Sequence, residues 1–309
     1  MFKRTILLIF LAIIVFTQTT LASEGTTGAQ FLTWGIGARA SGMGEAFCAV
    51  ADDATAIHFN PAGLGFLRKP AFVGMHSDLY ADLDAATGMS HSFLGYTQPV
   101  GENTFGLGLN YLNTGEHTLT NEKGDITGSC DIYDLSAILS LAHPFSDNLS
   151  VGINLKYIYS DYYAFKGRAY AGSFGLLYKT PLKGLNLGAA IENIGSKIYY
   201  KDDWQADELP ANVKIGAAYN FPLGDKARIL LAIDLNQPLY DDFIDYNTGA
   251  ELGLFKLLSL RVGYFDKGAG WKDYTYGFGA NYKGFNLDFA NVPGGDLGRN
   301  NRISLGIRF

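Results

Sequence analysis

The sequence of 309 residues predicts an all-β protein, a 14-stranded antiparallel transmembrane β-barrel, on three observations. The chain begins with an export signal. About 14 segments of roughly ten residues then alternate apolar and polar side chains, which is typical of strands with one apolar face. The connections between these segments alternate between tight turns and longer polar loops, as in barrels of the bacterial outer membrane.

Residues 1–22 predict a cleaved signal peptide. A cationic lead at residues 1–4 precedes an apolar run at residues 6–16, and Thr20 and Ala22 are the small residues that a signal peptidase requires. We therefore expect the mature chain to begin at Ser23. A retained membrane anchor is the less favoured alternative, because the apolar run is shorter than the ~20 residues of a spanning helix.

The composition excludes two classes of protein. With 38 Gly, 19 Tyr and 21 Phe but only 2 Cys, the chain does not resemble a small disulfide scaffold. Cys48 and Cys130 are expected as two separate small buried residues rather than a bridge, although pairing stays open. The net charge of -6 provides no basic surface, so we expect no nucleic acid as a partner.

The alternation extends from about residue 71 to residue 309, for example over residues 104–113 and 149–160. Strands of about ten residues suit a tilted membrane crossing, and a spanning sheet must close so that no backbone group meets lipid unpaired. An exported β-sandwich would also alternate. Tyrosines near the ends of apolar faces, such as Tyr157 and Tyr159, favour the barrel, because aromatic girdles lie at membrane interfaces.

The connections and the C-terminus complete the barrel prediction. The last alternating segment ends in Phe309 and resembles the signal that barrel-assembly machinery recognises, so we expect that machinery and outer-membrane lipids as partners. The expected periplasmic turns are residues 98–103, 143–148, 181–184, 222–225 and 283–284. The expected extracellular loops are residues 114–130, 195–210, 238–244 and 293–300.

Residues 35–40, Gly-Ile-Gly-Ala-Arg-Ala, fit a relaxed dinucleotide-binding pattern. Such a site needs a strand before the glycines, a helix after them and a parallel βαβ unit around them. None of these is predicted here, because Gly35 lies soon after the expected cleavage site and an antiparallel meander follows. We therefore expect no nucleotide.

The same region resembles the N-terminal signature of the PorV/PorQ family of outer-membrane proteins, within the FadL-like (OMPP1/FadL/TodX) barrel superfamily. The resemblance is carried by Gly37-Ala38-Arg39, Gly42-Met43-Gly44, the stretch AFCAVADDA at residues 46–54, and Asn60-Pro61-Ala62-Gly63-Leu64. It continues more weakly at residues 188–195 and 260–264. His58 departs from the pattern, because the family more often has an aromatic residue there.

The resemblance implies that residues 23–70 form a plug, or hatch, inside a barrel of residues 71–309. It implies close packing at Gly42 and Gly44, and charge-assisted bonds of Arg39 with Asp52, with Asp53 or with residues of the lumen. In FadL-like transporters the N-P-A element lies beside an irregular strand where substrate leaves sideways. Carried over, the plug or gate motif is Asn60, Pro61, Ala62 and Gly63; the alternative, that these residues only brace the plug, stays open.

No constellation for catalysis or metal binding is found in the sequence. The five histidines are dispersed, without the paired spacing of zinc ligands, and no nucleophile elbow or P-loop occurs. We expect neither an enzyme nor a cofactor.

Two functions at the bacterial outer membrane remain from this reasoning. The first is passive uptake, whose partners would be small hydrophobic molecules or lipid. The alternative is an accessory or interaction protein that contacts type IX secretion components and carries no solute. The substrate, the oligomeric state and whether the plug moves stay open.

Overall fold

The computed structural model describes residues 27–82, 88–200, 206–241, 243–268 and 271–309. The predicted signal peptide, residues 1–22, lies outside the described residues. Within the described ranges, no helix combines the length and the apolar character needed to cross a membrane.

The described part of the chain contains sixteen strands. They are β1 (Ala71–Asp78), β2 (Ser90–Val100), β3 (Asn103–Thr120), β4 (Ile126–Pro144), β5 (Leu149–Tyr162), β6 (Phe165–Lys179), β7 (Leu185–Gly195), β8 (Ile198–Tyr200), β9 (Ala206–Asp207), β10 (Asn212–Leu223), β11 (Ala227–Pro238), β12 (Asp245–Leu254), β13 (Leu258–Asp266), β14 (Lys272–Tyr282), β15 (Phe285–Pro293) and β16 (Arg299–Arg308).

Fourteen of these strands form a closed antiparallel barrel, which confirms the predicted fold. Strands β1 to β7 pair in order, β7 pairs with β10, β10 to β16 pair in order, and β16 returns to β1. Closure leaves no unpaired edge in the ring. The two remaining strands, β8 and β9, form a small hairpin that pairs with β6 beyond the end of β7.

The side chains of the ring are arranged inside out relative to a soluble sandwich. Large apolar residues such as Leu139, Leu155 and Phe278 are 58%, 64% and 55% exposed on the outer face. Polar residues such as Asn154 and Thr275 are buried inside. An apolar outer band around a polar interior is the arrangement of a barrel in lipid.

Two of the predicted loops contain strands instead. Within residues 114–130, β3 runs on to Thr120 and β4 starts at Ile126, so the two strands form a ribbon with register shifts. Most residues of this ribbon are exposed and polar on both faces, so the alternation that marks a strand in the membrane is missing. Residues 195–210 likewise contain β8 and β9.

The segment before the barrel is made of short helices and loops. Its helices are η1 (Gln30–Thr33), α1 (Ala38–Ser41), α2 (Ala56–Phe59) and η2 (Pro61–Phe66); a further turn, η3 (Gly295–Leu297), connects β15 to β16. Ile36, Met43, Phe47, Ile57 and Leu64 are buried in one cluster that also contains Met75, Phe93 and Ile138 of the strands. The core of the protein therefore lies inside the ring.

This N-terminal segment runs the length of the lumen. At one end, which carries the longer connections, Gly28 N donates to Glu208 O at 2.9 Å. At the other end, which carries the tight turns, Phe309 N donates to Pro70 O at 3.0 Å. We call these the loop end and the turn end, and we call residues 27–70 the plug.

Candidate functional site

Glycines of the barrel wall lie directly against the main chain of the plug. A Cβ atom added at any of five of them would come within 3.0 Å of a plug main-chain atom: Gly152, Gly175, Gly188, Gly249 and Gly263, on β5, β6, β7, β12 and β13. A side chain at these positions requires a shift of main chain, so glycine is what allows the close approach.

The glycines of the plug signature show the same close fit. Gly44 has a φ of 62°, and a Cβ there would lie 2.7 Å from main-chain atoms of Thr248 and Tyr264. A Cβ at Gly42 would lie 3.2 Å from Cα of Gly277. Both glycines therefore lie where plug and wall meet.

Polar side chains of the wall satisfy the plug's main-chain groups. Asn154 Nδ2 donates to Ile57 O at 2.7 Å, and Asp234 Oδ2 accepts from Phe47 N and Cys48 N at 2.7 and 2.8 Å. Further bonds of this kind join Ser150 to Ala62 O, Thr275 to Gly44 N, Asn247 to Gly44 O, Ser304 to Ala38 N and Arg302 to Gly35 O. Because irregular buried backbone must find partners, these bonds anchor the plug to the wall in this structure.

The motif of residues 60–63 is packed against β5 and β6. Asn60 is fully buried; its Nδ2 donates to Cys48 O at 2.9 Å and to Leu176 O at 3.0 Å, and its Oδ1 accepts from Ala62 N at 3.1 Å. Pro61 begins η2, and a Cβ at Gly63 would overlap the main chain of Ala51. The β5–β6 ladder beside the motif is continuous, whereas the β6–β7 ladder shifts register between Gly172 and Phe174.

At the turn end, Arg39 joins the plug to the wall through ion pairs. Its guanidinium lies 2.5 Å from Asp52, 3.2 Å from Asp53 and 2.9 Å from Glu251 of β12. Burial opposes the charge of Arg39, but these carboxylates outweigh burial and raise the pKa of the guanidinium above its ordinary value. Arg39 therefore remains charged.

Glu251 is the centre of this network. Its side chain is 1% exposed and accepts from Arg39, from Arg228 at 2.7 Å and from Arg261 at 2.7 Å. Arg261 also pairs with Asp288 at 2.7 Å. The sequence identified Arg39, Asp52 and Asp53 as charged contacts but did not identify Glu251. The available sign was that Glu251 is an acidic residue on the inward-facing side of a strand made mostly of small and apolar residues.

The plug has a space on each side of it. The vestibule, at the turn end, is a cavity of about 500 Å³ whose lining includes Arg39, Asp52, Glu251, Arg261 and Asp288. The chamber, at the loop end, is a cavity of about 310 Å³ whose aromatic lining comprises Trp34, Phe59, Tyr80, Tyr240, Phe243, Phe265 and Trp271.

The two lysines of the chamber are each paired with a carboxylate. Lys214 Nζ lies 2.9 Å from Glu192, and Lys267 Nζ lies 3.1 Å from Glu45. Burial alone would raise the pKa of Glu45, but the charges of Lys267 and Arg302 outweigh it and hold that pKa below its ordinary value. The chamber was not predicted, because its lining comes from the plug, several strands and the loops between them.

His58 also lines the chamber. It is 5% exposed, and its ring packs edge-on against Phe59 with the centroids 4.9 Å apart. Burial, followed by the charges of Lys214 and Lys156, lowers the pKa of His58 well below its ordinary value. The imidazole is therefore neutral.

The C-terminal residue and the two cysteines line neither the chamber nor the vestibule. Phe309 is 63% exposed at the turn end and follows β16, the strand that closes the barrel. Cys48 is a buried free thiol and Cys130 a half-buried one. Among the described residues, no group of three or more His, Cys, Asp or Glu could hold a metal ion, and residues 35–40 enter the one-turn helix α1 with no βαβ unit around them.

Comparison with known proteins gives one family match. The model of the family described as "Type IX secretion system protein PorV" matches residues 18–242. No curated protein matches the chain.

Several solved structures share the fold. The toluene transporter TodX of Pseudomonas putida superposes with a TM-score of 0.59 at 14% identity, covering 88% of this chain and 96% of TodX. The CymD monoaromatic hydrocarbon channel gives 0.54 at 14% identity, with 89% and 96% covered. A Pseudomonas aeruginosa FadL homologue gives 0.52 at 12% identity, with 94% and 99% covered. At these identities the similarity shows the fold alone.

Proposed function

Because the chain belongs to the PorV family of type IX secretion system proteins, we propose that it serves that pathway as an interaction protein of the outer membrane. In this role it carries no solute through its lumen and catalyses no reaction. The family match confirms the resemblance of residues 37–64 and favours the second of the two functions considered from the sequence.

The close docking of the plug is the observation that carries this proposal. Moving the plug out of the lumen would break the hydrogen bonds of Asp234, Asn154 and Arg302, and would separate Arg39 from Glu251. Each buried polar group left unpaired costs on the order of 1–3 kcal/mol. A barrel that uses its outer surfaces rather than its lumen can retain such a plug permanently.

The vestibule gives independent support. A hydrophobic solute that left the chamber toward the turn end would have to pass Arg39, Glu251 and Arg261. These buried charges favour polar contacts, and displacing any one of them leaves the others unpaired. A path that is aromatic at one end and ionic at the other is poorly suited to a hydrophobic solute.

For residues 60–63 we propose a bracing role rather than a gate. Asn60 joins three parts of the structure, since it bonds Cys48, Ala62 and Leu176 of β6. For Phe309 we retain the proposal that it is part of the signal read by barrel-assembly machinery.

A deletion strain tests the proposed function. We expect export of proteins that depend on type IX secretion to fail in the strain and to return on complementation, while uptake of a hydrophobic compound stays unchanged. Normal export in the deletion strain would contradict the proposal.

A tether between plug and wall sharpens that test. A Cβ at Gly216 of β10 would lie 3.0 Å from Cβ of Cys48, slightly closer than the ~3.5–4.5 Å of a disulfide. It would also overlap Oδ1 of Asp234, so that side chain must move in both the oxidised and the reduced form. In a Cys130→Ser background, oxidised Gly216→Cys should lock the plug and still complement secretion, with the reduced form of the same variant as control. Loss of secretion on oxidation, restored by reductant, would show that the plug must move.

Uptake of hydrophobic molecules is the second candidate, and the aromatic chamber favours it. Residues such as Trp34, Phe265 and Trp271 form a suitable entrance for an apolar compound. If uptake of toluene fell in the deletion strain and returned on complementation, this candidate would replace the first.

A further inference from the structure

The chamber has the features of a binding site for a small molecule. Its volume of about 310 Å³ lies at the lower end of the ~300–1,000 Å³ of ligand pockets, which suits a molecule of one or two rings. Phe265 and Trp271 pack edge to face with their centroids 5.2 Å apart. A lining of aromatic rings favours an aromatic ligand, since such rings attract one another in stacked or edge-to-face arrangements.

The charges of the chamber do not favour an anion. The lining contains the carboxylates Glu45, Glu192, Asp241 and Asp245 and the cations Lys214, Lys267 and Arg302, so it has no positive excess. Lys214 and Lys267 are already paired with Glu192 and Glu45. An anion would have to displace Glu192 or Glu45 from its lysine, whereas a neutral ligand would displace no partner.

His58 supplies a polar contact that the protein itself does not use. Among the described residues, nothing lies within hydrogen-bond distance of its ring nitrogens, although the side chain is more than nine-tenths buried. His91, which is fully buried and does not line the chamber, has a partner for Nε2 in Asn110 Oδ1 at 2.6 Å, while its Nδ1 has none in the described part of the chain. A neutral imidazole offers one donor and one acceptor, which is the complement of a hydroxyl group.

We propose that the chamber binds a small neutral aromatic molecule bearing a hydroxyl group, a phenol. Its ring lies among Trp34, Phe265 and Trp271, and its hydroxyl bonds the imidazole of His58. This inference goes beyond the proposed function, since binding requires neither passage through the lumen nor secretion.

Tryptophan fluorescence of the purified protein in lipid nanodiscs provides the test. Two of the three tryptophans of the chain, Trp34 and Trp271, line the chamber and report directly on its occupancy. The probes are phenol and toluene, which share a ring and differ in the hydroxyl group. The measured quantity is the preference, the Kd for toluene divided by the Kd for phenol.

We expect saturable binding of phenol to the native protein and a preference that falls about fivefold in His58→Phe and in His58→Leu, the usual scale of one hydrogen bond. His76→Phe is the matched control: His76 lies on β1, outside the chamber and largely exposed, so the preference should not change. Folding of each variant is checked by its heat-dependent mobility in electrophoresis.

Three results would overturn the proposal. The first is no saturable phenol binding to the native protein. The second is an unchanged preference in either folded His58 variant. The third is tighter binding of benzoate or of benzylamine than of phenol, because the site would then select an ion. None of these readouts depends on secretion, so they are separate from the test of the proposed function.

Discussion

The chamber and the vestibule lie on opposite sides of one plug and differ in chemistry. The chamber is lined by aromatic rings and by separate small ion-pair groups, such as Lys214 with Glu192, and Glu45 with Lys267 and Arg302. In the vestibule, three arginines converge on the single carboxylate of Glu251. The plug therefore separates a space suited to a small ligand from a space that fastens the plug to the wall.

This difference indicates that the vestibule stabilises the docked plug and that the chamber recognises a ligand. Substitutions in the vestibule and along the glycine contacts should loosen the plug, whereas substitutions among the aromatic residues of the chamber should alter binding and leave the fold intact. The following predictions test that division, from the largest expected effect to the smallest.

Replacing Glu251 should have the largest effect. Glu251→Gln leaves Arg39 and Arg261 buried without their shared carboxylate, which we expect to lower the free energy of unfolding by about 3–5 kcal/mol. The measurement is urea unfolding in nanodiscs, followed by tryptophan fluorescence.

The control for this prediction is an exposed ion pair. Arg299 and Asp82 pair at 3.0 Å with side chains that are 61% and 45% exposed, so Asp82→Asn should leave the free energy of unfolding almost unchanged. Equal effects of the two substitutions would show that the vestibule network does not hold the plug.

A methyl group at a wall glycine should have an intermediate effect. Gly188→Ala would overlap the main chain of Cys48 and Ala49, and overpacking of this kind costs about 1–3 kcal/mol. We expect faster proteolysis within the plug. Gly128→Ala is the matched control, because no atom lies within 4 Å of a Cβ there; equal proteolysis of the two variants would contradict a tight fit.

Acid should loosen the plug in two steps. The pKa of His58 in the folded protein lies well below its ordinary value of 6.5, because burial and then Lys214 disfavour its protonation. As pH falls below about 6.5, the unfolded chain binds a proton that the folded chain excludes, so stability decreases. Glu45 adds a second loss below its ordinary value of 4.5, because its folded pKa is lowered: burial would raise it, but Lys267 and Arg302 outweigh burial.

Hydrogen exchange of plug amides at pH 7, 5.5 and 3.5 measures this effect. His58→Phe should remove the first step and Glu45→Gln the second. Exchange that is equally fast at all three values, after correction for the intrinsic pH dependence, would show that neither group contributes.

The sequence was sufficient to predict the barrel strands but not the contacts between the plug and the barrel wall. Alternation is local, so β5 or β14 can be recognised from a dozen residues, and the signature of residues 37–64 identifies the plug through its family. The contact of Arg39 with Glu251 joins residues 212 positions apart, and nothing in either local pattern specifies it. The β3–β4 ribbon was missed because neither face of it is apolar.

His58 is an instructive intermediate case. Its departure from the family pattern was visible in the sequence, but a single histidine is ambiguous without its surroundings. The structure shows that its imidazole lines the same cavity as Trp34, Phe265 and Trp271.

The path of the plug has a consequence for biogenesis. The seam that closes the ring joins β1 to β16, and on β16 Ser304 and Arg302 bond Ala38 N and Gly35 O of the plug. The final strand therefore docks on a segment that must already lie in the lumen, since threading it through a finished ring would require every wall contact to form afterwards. We expect the strands of the barrel to assemble around the plug. If a chain lacking residues 27–70 still formed a closed barrel with native heat-dependent mobility, this order of assembly would be refuted.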